Sequence, residues 1–493
     1  GKILGDPTEG ALIYLADAFG IDQLVHEKAY PRVFEQPFDS DRKRMSTVHE
    51  ENGALYAYTK GAVDEMLPLC TQMLTAEGPR PMTEQERKNI LQLCYDMSSQ
   101  ALRVLGFAMK KMQAVPEDDD ENIEYDLTFI GACGMIDPPR KEVITAVETC
   151  HRAGIRTIMI TGDHKITAMA IAKQLGIFRE GNTVIEGNEL HAMSDKALDE
   201  KVKTTTVFAR VSPTDKLRII QSLKRIGEVA AMTGDGVNDS PALKAADIGV
   251  AMGQSGTDVA KDAADVILLD DNFTTIEYAI REGRRVYRNI QKVIQFLLAG
   301  NIAEILVLFI ATVLNWEPPI LAVHILLINL ATDSLPAIAL GVDPADANIM
   351  HEPPVRSGTL FERGLIRRVI LHGLFIAGST MAAYLIGQSQ AGYTAGTMAF
   401  CVLAISQLFH SLNQRSNVES VFHASTHNRS LFWAMTASAV ILAAIVFLPP
   451  LRSFFKLTTL SLAQWGVTLL FSLVPLLLVE LSKGMVRLKR HAK

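Results

Sequence analysis

The chain has no CxxC pair, no block of basic residues interleaved with aromatics, and no internal repeat. Its five cysteines (Cys70, Cys94, Cys133, Cys150, Cys401) stand apart. That excludes the common zinc and dithiol spacings and predicts reduced, buried cytosolic thiols. The formal charge of −6 is close to balance, so a nucleic-acid partner is not expected. No signal peptide opens the chain, and it does not begin with Met, so a piece of a longer protein is the expectation.

What the chain does have is length and unevenly placed hydrophobicity. Its 493 residues exceed what one core accommodates, and several domains are expected. Mean hydropathy is +0.17, yet residues 1–290 read as ordinary globular sequence while 290–482 are dominated by apolar stretches. Six of these runs approach the roughly 20 residues that span a bilayer. They cover about 290–314, 320–342, 366–387, 396–413, 431–449 and 462–482. Basic residues gather before the first (Arg281, Arg284, Arg285, Arg288), between the second and third (Arg363, Arg367, Arg368), and in the tail 483–493. With six spans in alternation those segments share one face. The positive-inside tendency makes it cytosolic, together with the globular half.

The most informative stretch is MTGDGVNDSPALKAADIGVAMG, residues 232–253. It sets Asp235 and Asp239 in a Gly-rich loop between an apolar strand (EVAAM, 228–232) and a helix-like run. Small residues let backbone approach a phosphate, and acids four apart can hold the Mg²⁺ that neutralises it. Around it, residues 126–275 alternate strand-like and helical runs: LTFIGACGMI, IRTIMITGD, TVFARV, EVAAMTGDG and ADVILL, with helices between. That rhythm predicts a doubly wound parallel sheet with ligands at the strands' carboxyl ends. Thr161, Gly162 and Asp163 end one strand there, and the loop beginning at Thr233 ends another. Lys216 opens the helix after FARVSPT, where its ammonium can meet a phosphate oxygen. Residues 1–125 form a separate mixed α/β region, closed by the acidic linker PEDDDENIE at 116–124.

These motifs resemble the C-terminal part of a P-type ATPase, an ion pump phosphorylated on aspartate, and within that family the calcium-pump branch. TGDH (161–164), FARVSPTDK (208–216) and TGDGVNDSPAL (233–243) match signatures of its haloacid-dehalogenase-like phosphorylation domain. MIDPPR (135–140) matches the re-entry into that domain, and GDPTEGAL (5–12), FDSDRKRMS (38–46) and TKGA (59–62) match its nucleotide domain. The resemblance implies a nucleotide-binding domain at 1–125, a phosphorylation domain at 126–280, and an all-α bundle of six membrane helices at 281–493.

The resemblance also assigns roles. Thr161 and Gly162 would bind the transferred phosphoryl group, with Lys216 stabilising its charge. Asp235 would hold Mg²⁺, and Asn238 and Asp239 would organise the loop; Asp163 and Thr233 belong to the same catalytic motifs. Phe38 would stack on adenine, and Lys60 would line that pocket beside Gly61, whose small size leaves room for a ring. Glu9 and Arg103 would complete it, Arg103 pairing with the phosphates. Asp137 and Arg210 would lie at the phosphate end. The family's nucleophile is the Asp of a DKTGT motif, which does not occur in this sequence. It is expected upstream, with the actuator domain, its TGE loop and the first four membrane helices. In-line phosphoryl transfer depends on positioning, so this chain alone is expected to bind nucleotide but neither to form the phosphoenzyme nor to pump.

The apolar half carries the substrate argument. The first run places Asn301 and Glu304 on one helix face, and the second places Asn329, Thr332 and Asp333 together. Carboxylates inside a membrane are costly and default to function. Two of them with amide and hydroxyl oxygens suit one hard divalent cation. Pro336 lacks an N–H and so leaves the carbonyl of Thr332 free to act as a further ligand. These five residues match the calcium-pump pattern. Gln407 stands where two-calcium pumps carry Glu, which predicts one Ca²⁺ per ATP. His324 and His410 read as hydrogen-bonded packing residues, not soft-metal ligands. Ca²⁺, ATP, Mg²⁺, the lipid bilayer and the upstream half are therefore the expected ligands and partners, in a bacterial plasma membrane. Two other readings stay open: Mn²⁺ or Na⁺ as the cargo, and a membrane-anchored nucleotide-binding module without catalysis.

Overall fold

The computed structural model describes residues 7–39, 42–116, 121–136, 139–346, 348–355, 360–361, 363–389, 393–423 and 427–491. Asp137, part of the GDPTEGAL and FDSDRKRMS runs, and residues 117–120 of the acidic linker lie outside them. The chain forms two compact units: Gly1–His151 with Arg156–Thr275, and Arg152–Ile155 with Ile276–Lys493.

The first unit opens with a seven-stranded sheet. Its strands are β1 (Arg32–Asp39), β2 (Arg44–Glu51), β3 (Ala54–Gly61), β4 (Cys70–Thr75), β5 (Gly78–Pro81), β6 (Arg103–Met112) and β7 (Leu127–Met135), in the order β1-β2-β3-β6-β7-β4-β5. All pairs are antiparallel except β4 with β7. One face closes over Val63, Met66, Leu67, Cys70, Ala108, Leu127 and Phe129. The buried hydroxyls of Ser46 and Thr59 satisfy each other at 2.9 Å, and Ser46 also donates to Glu124. Glu124, buried between Arg42 and Arg44 at 2.6 Å each, ties the end of the linker to this sheet.

Here the structure corrects the sequence reading. LTFIGACGMI was expected to open the parallel series, but as β7 it pairs antiparallel with β6 over residues 103–109. A nearly continuous apolar run reads as a strand buried on both faces. Its Leu127 and Phe129 instead fill the core of the first sheet.

The remaining strands are β8 (Met159–Ile160), β9 (Thr183–Glu186), β10 (Thr205–Ala209), β11 (Ala231–Gly234), β12 (Ile248–Met252) and β13 (Val266–Leu268). They form two three-stranded parallel sheets, β8-β10-β9 and β11-β12-β13, where one continuous sheet was expected. Both rest on one core that includes Ile185, Leu190, Phe208, Ile219, Met232, Leu243 and Ala251. The helix Pro213–Arg225 between them starts on a capping box, Ser212 with Asp215, and has Pro at its first turn.

The second unit holds, among the described residues, six helices long and apolar enough to cross a membrane. They are Phe273–Val313, Ala322–Gly341, Gly364–Gln388, Thr394–Asn413, Arg429–Phe447 and Leu462–Leu488, here the first to sixth spans. The first is longer than its apolar run because helix-forming charged residues extend it by more than four turns; the boundary expected at 280 falls inside it. The fourth is the most enclosed: 72% of its apolar window is buried, against 28% for the fifth and sixth. Polar side chains on it therefore face protein.

Candidate functional site

Two sets of residues carry chemistry. In the first unit, the loops after β8, β10 and β11 meet. Thr161 Oγ1 donates to Asp163 Oδ2 at 3.2 Å and accepts from Asp163 N at 3.1 Å, a tight turn that fixes TGD. Its backbone is pinned to the next strand through Thr161 N to Phe208 O (2.9 Å) and Arg210 N to Asp163 O (3.1 Å). Arg210 adopts φ +50°. A Cβ on Gly187 would lie 2.2 Å from its carbonyl oxygen, so only glycine lets that backbone pass. His164 caps the helix Lys165–Gln174, its Nδ1 accepting from Ile166 N at 3.2 Å. Burial, with Arg210's charge added, lowers its pKa and keeps that acceptor neutral.

Lys216 Nζ reaches Asp239 Oδ1 at 2.5 Å. The other Asp239 oxygen accepts from Asp235 N and Gly236 N at 3.3 Å each. Gly234 is required here, because a Cβ would sit 2.5 Å from Asp239 Cβ. Thr257 N donates to Asp235 O at 2.8 Å, closing the loop from the other side. Asp235, Asn238 and Thr233 present exposed side chains, and Gly162 has open space where a Cβ would stand. The loops after β10 and β11 are thus tied together by one part-buried pair, Lys216 with Asp239.

On the first sheet, register aligns Asp39 with Arg44, Arg44 with Gly61, and Gly61 with Gly106. Phe38, Lys60, Gly61 and Arg103 therefore gather at one end of the sheet. Lys60 pairs with Glu9. Gly61 cannot carry a side chain, since its Cβ would stand 2.6 Å from Arg44 Cβ. A cavity of about 140 Å³, lined by Met45, Tyr58, Lys60, Phe107 and Ile130 among others, opens on this sheet. Phe38 does not line it and is 63% exposed, so it stands free at the surface. Arg103 joins Asp163 at 3.2 Å and Thr8 Oγ1 at 3.3 Å. Arg210 pairs with Asp64 at 2.7 Å, a partner that spacing in the sequence did not point to.

In the second unit, Glu304 and Asp333 are buried to 4% and 2% exposure. Asn329 Nδ2 donates to Glu304 at 3.1 and 3.4 Å and to Ile325 O at 3.1 Å. Asp333 Oδ1 and both amide atoms of Gln407 are buried without a hydrogen-bond partner. Gly300 lies between them: a Cβ there would stand 2.7 Å from Gln407 Nε2 and 3.4 Å from Asp333 Oδ2. Asn301 is half-buried on the same helix. No basic side chain pairs with Glu304 or Asp333 among the described residues.

Residues Ile328–Asp333 form a π-helical turn directly before Pro336's stretch of helix, Ser334–Gly341. Such widened turns cluster at functional sites. Thr332's carbonyl, expected to be free, accepts from Ser438 Oγ at 3.2 Å, while Thr332 Oγ1 donates to Ile328 O at 2.8 Å. Proline does remove the helical donor, and a hydroxyl from the fifth span takes one of the oxygen's two lone pairs. His324 is satisfied at both nitrogens, Nδ1 accepting from Leu321 N (3.2 Å) and Nε2 donating to Phe455 O (2.7 Å), as in a packing residue. Gly300, Ser438 and the π turn were not visible to motif reading; a glycine one position before Asn301 was the available signal.

This arrangement joins a phosphate-type loop site on parallel sheets to an oxygen-rich pair of carboxylates among apolar helices. The comparisons agree with it. Residues 1–142 match the family described as P-type ATPase, cytoplasmic domain N; 74–247 match haloacid dehalogenase-like hydrolases; 317–485 match the cation transporting ATPase C-terminus. The chain is 45% identical to calcium-transporting ATPase 1 of Bacillus cereus, covering 97% of this chain and 56% of that protein. It is 40% identical to a calcium-transporting ATPase of Listeria monocytogenes (98% and 55%) and 39% identical to that of Bacillus subtilis (96% and 54%). The chain spans about half the length of the curated relatives it matches. It belongs to the P-type cation-transporting ATPases, with a haloacid-dehalogenase-like phosphorylation domain, a mixed α/β nucleotide-binding domain and a multi-pass helical membrane domain.

Proposed function

We propose that the protein containing this chain is an ATP-driven pump that moves Ca²⁺ out of the cytosol through an aspartyl-phosphate intermediate. The observation that carries this reading is the Glu304–Asp333 pair, two carboxylates buried among apolar helices with no basic partner among the described residues. Such a pair suits a divalent cation, which would neutralise both charges at once. The ligand set in this reading is Asn301, Glu304, Asn329, Thr332, Asp333 and Gln407. Gln407 contributes no charge, which supports one Ca²⁺ per cycle. Mn²⁺ satisfies the same oxygens, while Na⁺ leaves one negative charge uncompensated. A nucleotide-binding module with a membrane anchor needs neither carboxylate.

In the cytosolic half, Phe38, Lys60, Gly61, Glu9, Arg103, Asp137 and Arg210 bind ATP in this reading. The nucleotide-binding portion extends through Met135, because β7 completes its sheet. Asp235 is exposed and forms no ion pair among the described residues, so it suits Mg²⁺, which when bound neutralises phosphate charge. Lys216 leaves or shares Asp239 to meet the phosphoryl group held by Thr161 and Gly162. Arg281, Arg284, Arg285 and Arg288 at the head of the first span support a cytosolic soluble half by the positive-inside tendency, and a bacterial plasma membrane belongs to the same reading.

The test is phosphoenzyme formation from γ-labelled ATP, with and without micromolar Ca²⁺, on the full-length protein and on this chain alone. Ca²⁺-dependent label on the full-length protein only is the expected result. Label that ignores Ca²⁺, Mn²⁺ and Na⁺ alike would remove the pump reading.

A further inference from the structure

A second buried polar cluster in the membrane half is used by nothing described so far. It consists of Gln295 on the first span, Arg368 and His372 on the third, and His410 and Gln414 at the cytosolic end of the fourth. Gln295, His372, His410 and Gln414 are each 4% exposed or less. Arg368 Nε donates to Gln295 Oε1 at 2.9 Å, and Gln295 Nε2 donates to Gln414 Oε1 at 2.6 Å. Gln414 Nε2 then faces His410 Nε2 at 2.5 Å and His372 Nδ1 at 3.3 Å.

The chemistry of the donors fixes the direction of this chain. A guanidinium only donates, so Gln295 must turn its oxygen to Arg368 and its amide nitrogen to Gln414. Gln414 must then accept from Gln295 and offer both of its N–H bonds to the two imidazoles. Each imidazole accepts at the nitrogen that faces Gln414, and is neutral there. His410 Nδ1, which carries the remaining proton, is buried without a partner. The rings meet edge to face at 4.9 Å, and His410 stacks on Phe296 at 6.4 Å.

This chain spans the same two helices that present Glu304 and Gln407. Gln414 follows Gln407 by two helical turns. Gly373, next to His372, brings the third span against the first: a Cβ there would lie 2.7 Å from Ile302 Cγ2 and 3.1 Å from Ala299 O. The contact falls beside Gly300 and Asn301. A helix is stiff over two turns, so a shift of Gln414 against Gln295 moves Gln407 against Glu304 and Asp333.

We propose that Gln295 and Gln414 are positioning residues: their one-way hydrogen-bond chain sets the register of the fourth span on the first, and with it the affinity of the cation site. The proposal rests on reading Glu304, Asp333 and Gln407 as that site. The charged groups around the imidazoles are Arg368 on the third span and Lys483 on the sixth, the latter paired with Glu480 at 2.8 Å.

The experiment uses the full-length protein with Gln414→Met, which keeps the volume and removes the chain, and Gln414→Glu. Gln414→Glu still accepts from Gln295 but presents a carboxylate where the imidazoles now receive N–H bonds. The half-saturating Ca²⁺ concentration of ATPase activity is read at pH 6 and pH 8, with saturated turnover and nucleotide binding alongside. Gln414→Met is expected to raise half-saturation on the order of tenfold, the scale of hydrogen bonds between membrane helices. Turnover at saturation and nucleotide affinity stay within about twofold. Gln414→Glu is expected to recover affinity more fully at pH 6, where protonated imidazoles donate to it, than at pH 8, where each ring can donate only after moving its single proton to the facing nitrogen. Loss of packing alone would not produce that pH-dependent recovery. Gln295→Met cuts the same chain from the first span and serves if a Gln414 variant fails to fold. Wild-type half-saturation in both Met variants, or a Gln414→Glu pH profile like the parent's, overturns the proposal. A parent without cation dependence overturns the site reading first, and this inference with it.

Discussion

The carboxylates of the two halves live under opposite conditions. In the soluble half three candidate acids have a cation at hand: Asp239 has Lys216 at 2.5 Å, Asp163 has Arg103 at 3.2 Å, and Glu9 has Lys60. In the membrane half Glu304 has only amides beside it, Asn329 and Gln407, and one oxygen of Asp333 is buried without a hydrogen-bond partner. Partly exposed ion pairs are weak, on the order of 1 kcal/mol or less, so those partners can be exchanged for phosphate at little cost. A buried uncompensated carboxylate has no such freedom. On the function proposed above, the soluble half suits partner exchange, and the membrane half suits occupancy by a cation.

The strongest way to break that comparison is to remove the membrane charges. Glu304→Gln with Asp333→Asn is expected to lower Ca²⁺-stimulated ATPase by more than about 100-fold. Nucleotide binding should be unchanged, and thermal stability without Ca²⁺ equal or higher, because neutral amides relieve two buried charges. Stimulation surviving within tenfold of the parent would mean that the cation binds elsewhere.

A finer test asks whether the gap between Gln407 and Asp333 matters. Gly300→Ala would set a methyl 2.7 Å from Gln407 Nε2 and 3.4 Å from Asp333 Oδ2. Alanine also favours the helix by about 1 kcal/mol, so the protein should not lose stability from propensity. Half-saturating Ca²⁺ is expected to rise about tenfold, near the 1.4 kcal/mol that one displaced ligand implies. Gly378→Ala on the third span, with no atom within 4 Å of its Cβ, is the matched control and should change nothing.

What could be read in the sequence follows from what is local. The TGD turn at 161–163, the TGDGVND loop and the polar positions of the first two spans are short-range patterns, and their chemistry shows in residue type and spacing. Long-range choices were hidden. LTFIGACGMI has the composition of a parallel core strand, and only Leu127 and Phe129 finding the Val63–Leu67 core decides its sheet. Pro336 points to a free carbonyl on Thr332, but that oxygen accepts from Ser438, more than a hundred residues away. The Arg368–Gln295–Gln414 chain is invisible for the same reason: three spans contribute one link each. Phe38 has the residue type of a base platform, yet it stands exposed beside a cavity of about 140 Å³ that it does not line.

The smallest expected effect sharpens the comparison from the soluble side, where backbone can do the work of a cation. Asp271 accepts from Gly253 N at 2.7 Å, Gln254 N at 3.0 Å and Ser255 N at 2.7 Å. Those N–H groups, Gln254's first, hold its pKa down at about 2. An unfolded aspartate titrates near 3.9. Because the folded value is the lower one, the stabilisation is complete above the unfolded value and disappears as pH falls through about 2. Asp271 has φ +49°, a conformation that asparagine also tolerates, so Asp271→Asn changes the charge without adding backbone strain. In thermal unfolding of the soluble half's transition, the variant should melt about 2 °C below the parent at pH 7 and pH 5. The gap should narrow steadily between pH 4 and pH 2. A gap that persists unchanged at pH 2 would show that shape, and not the carboxylate's charge, holds the Gly253–Ser255 turn. Backbone donors would then have lost their standing as the soluble half's substitute for a cation.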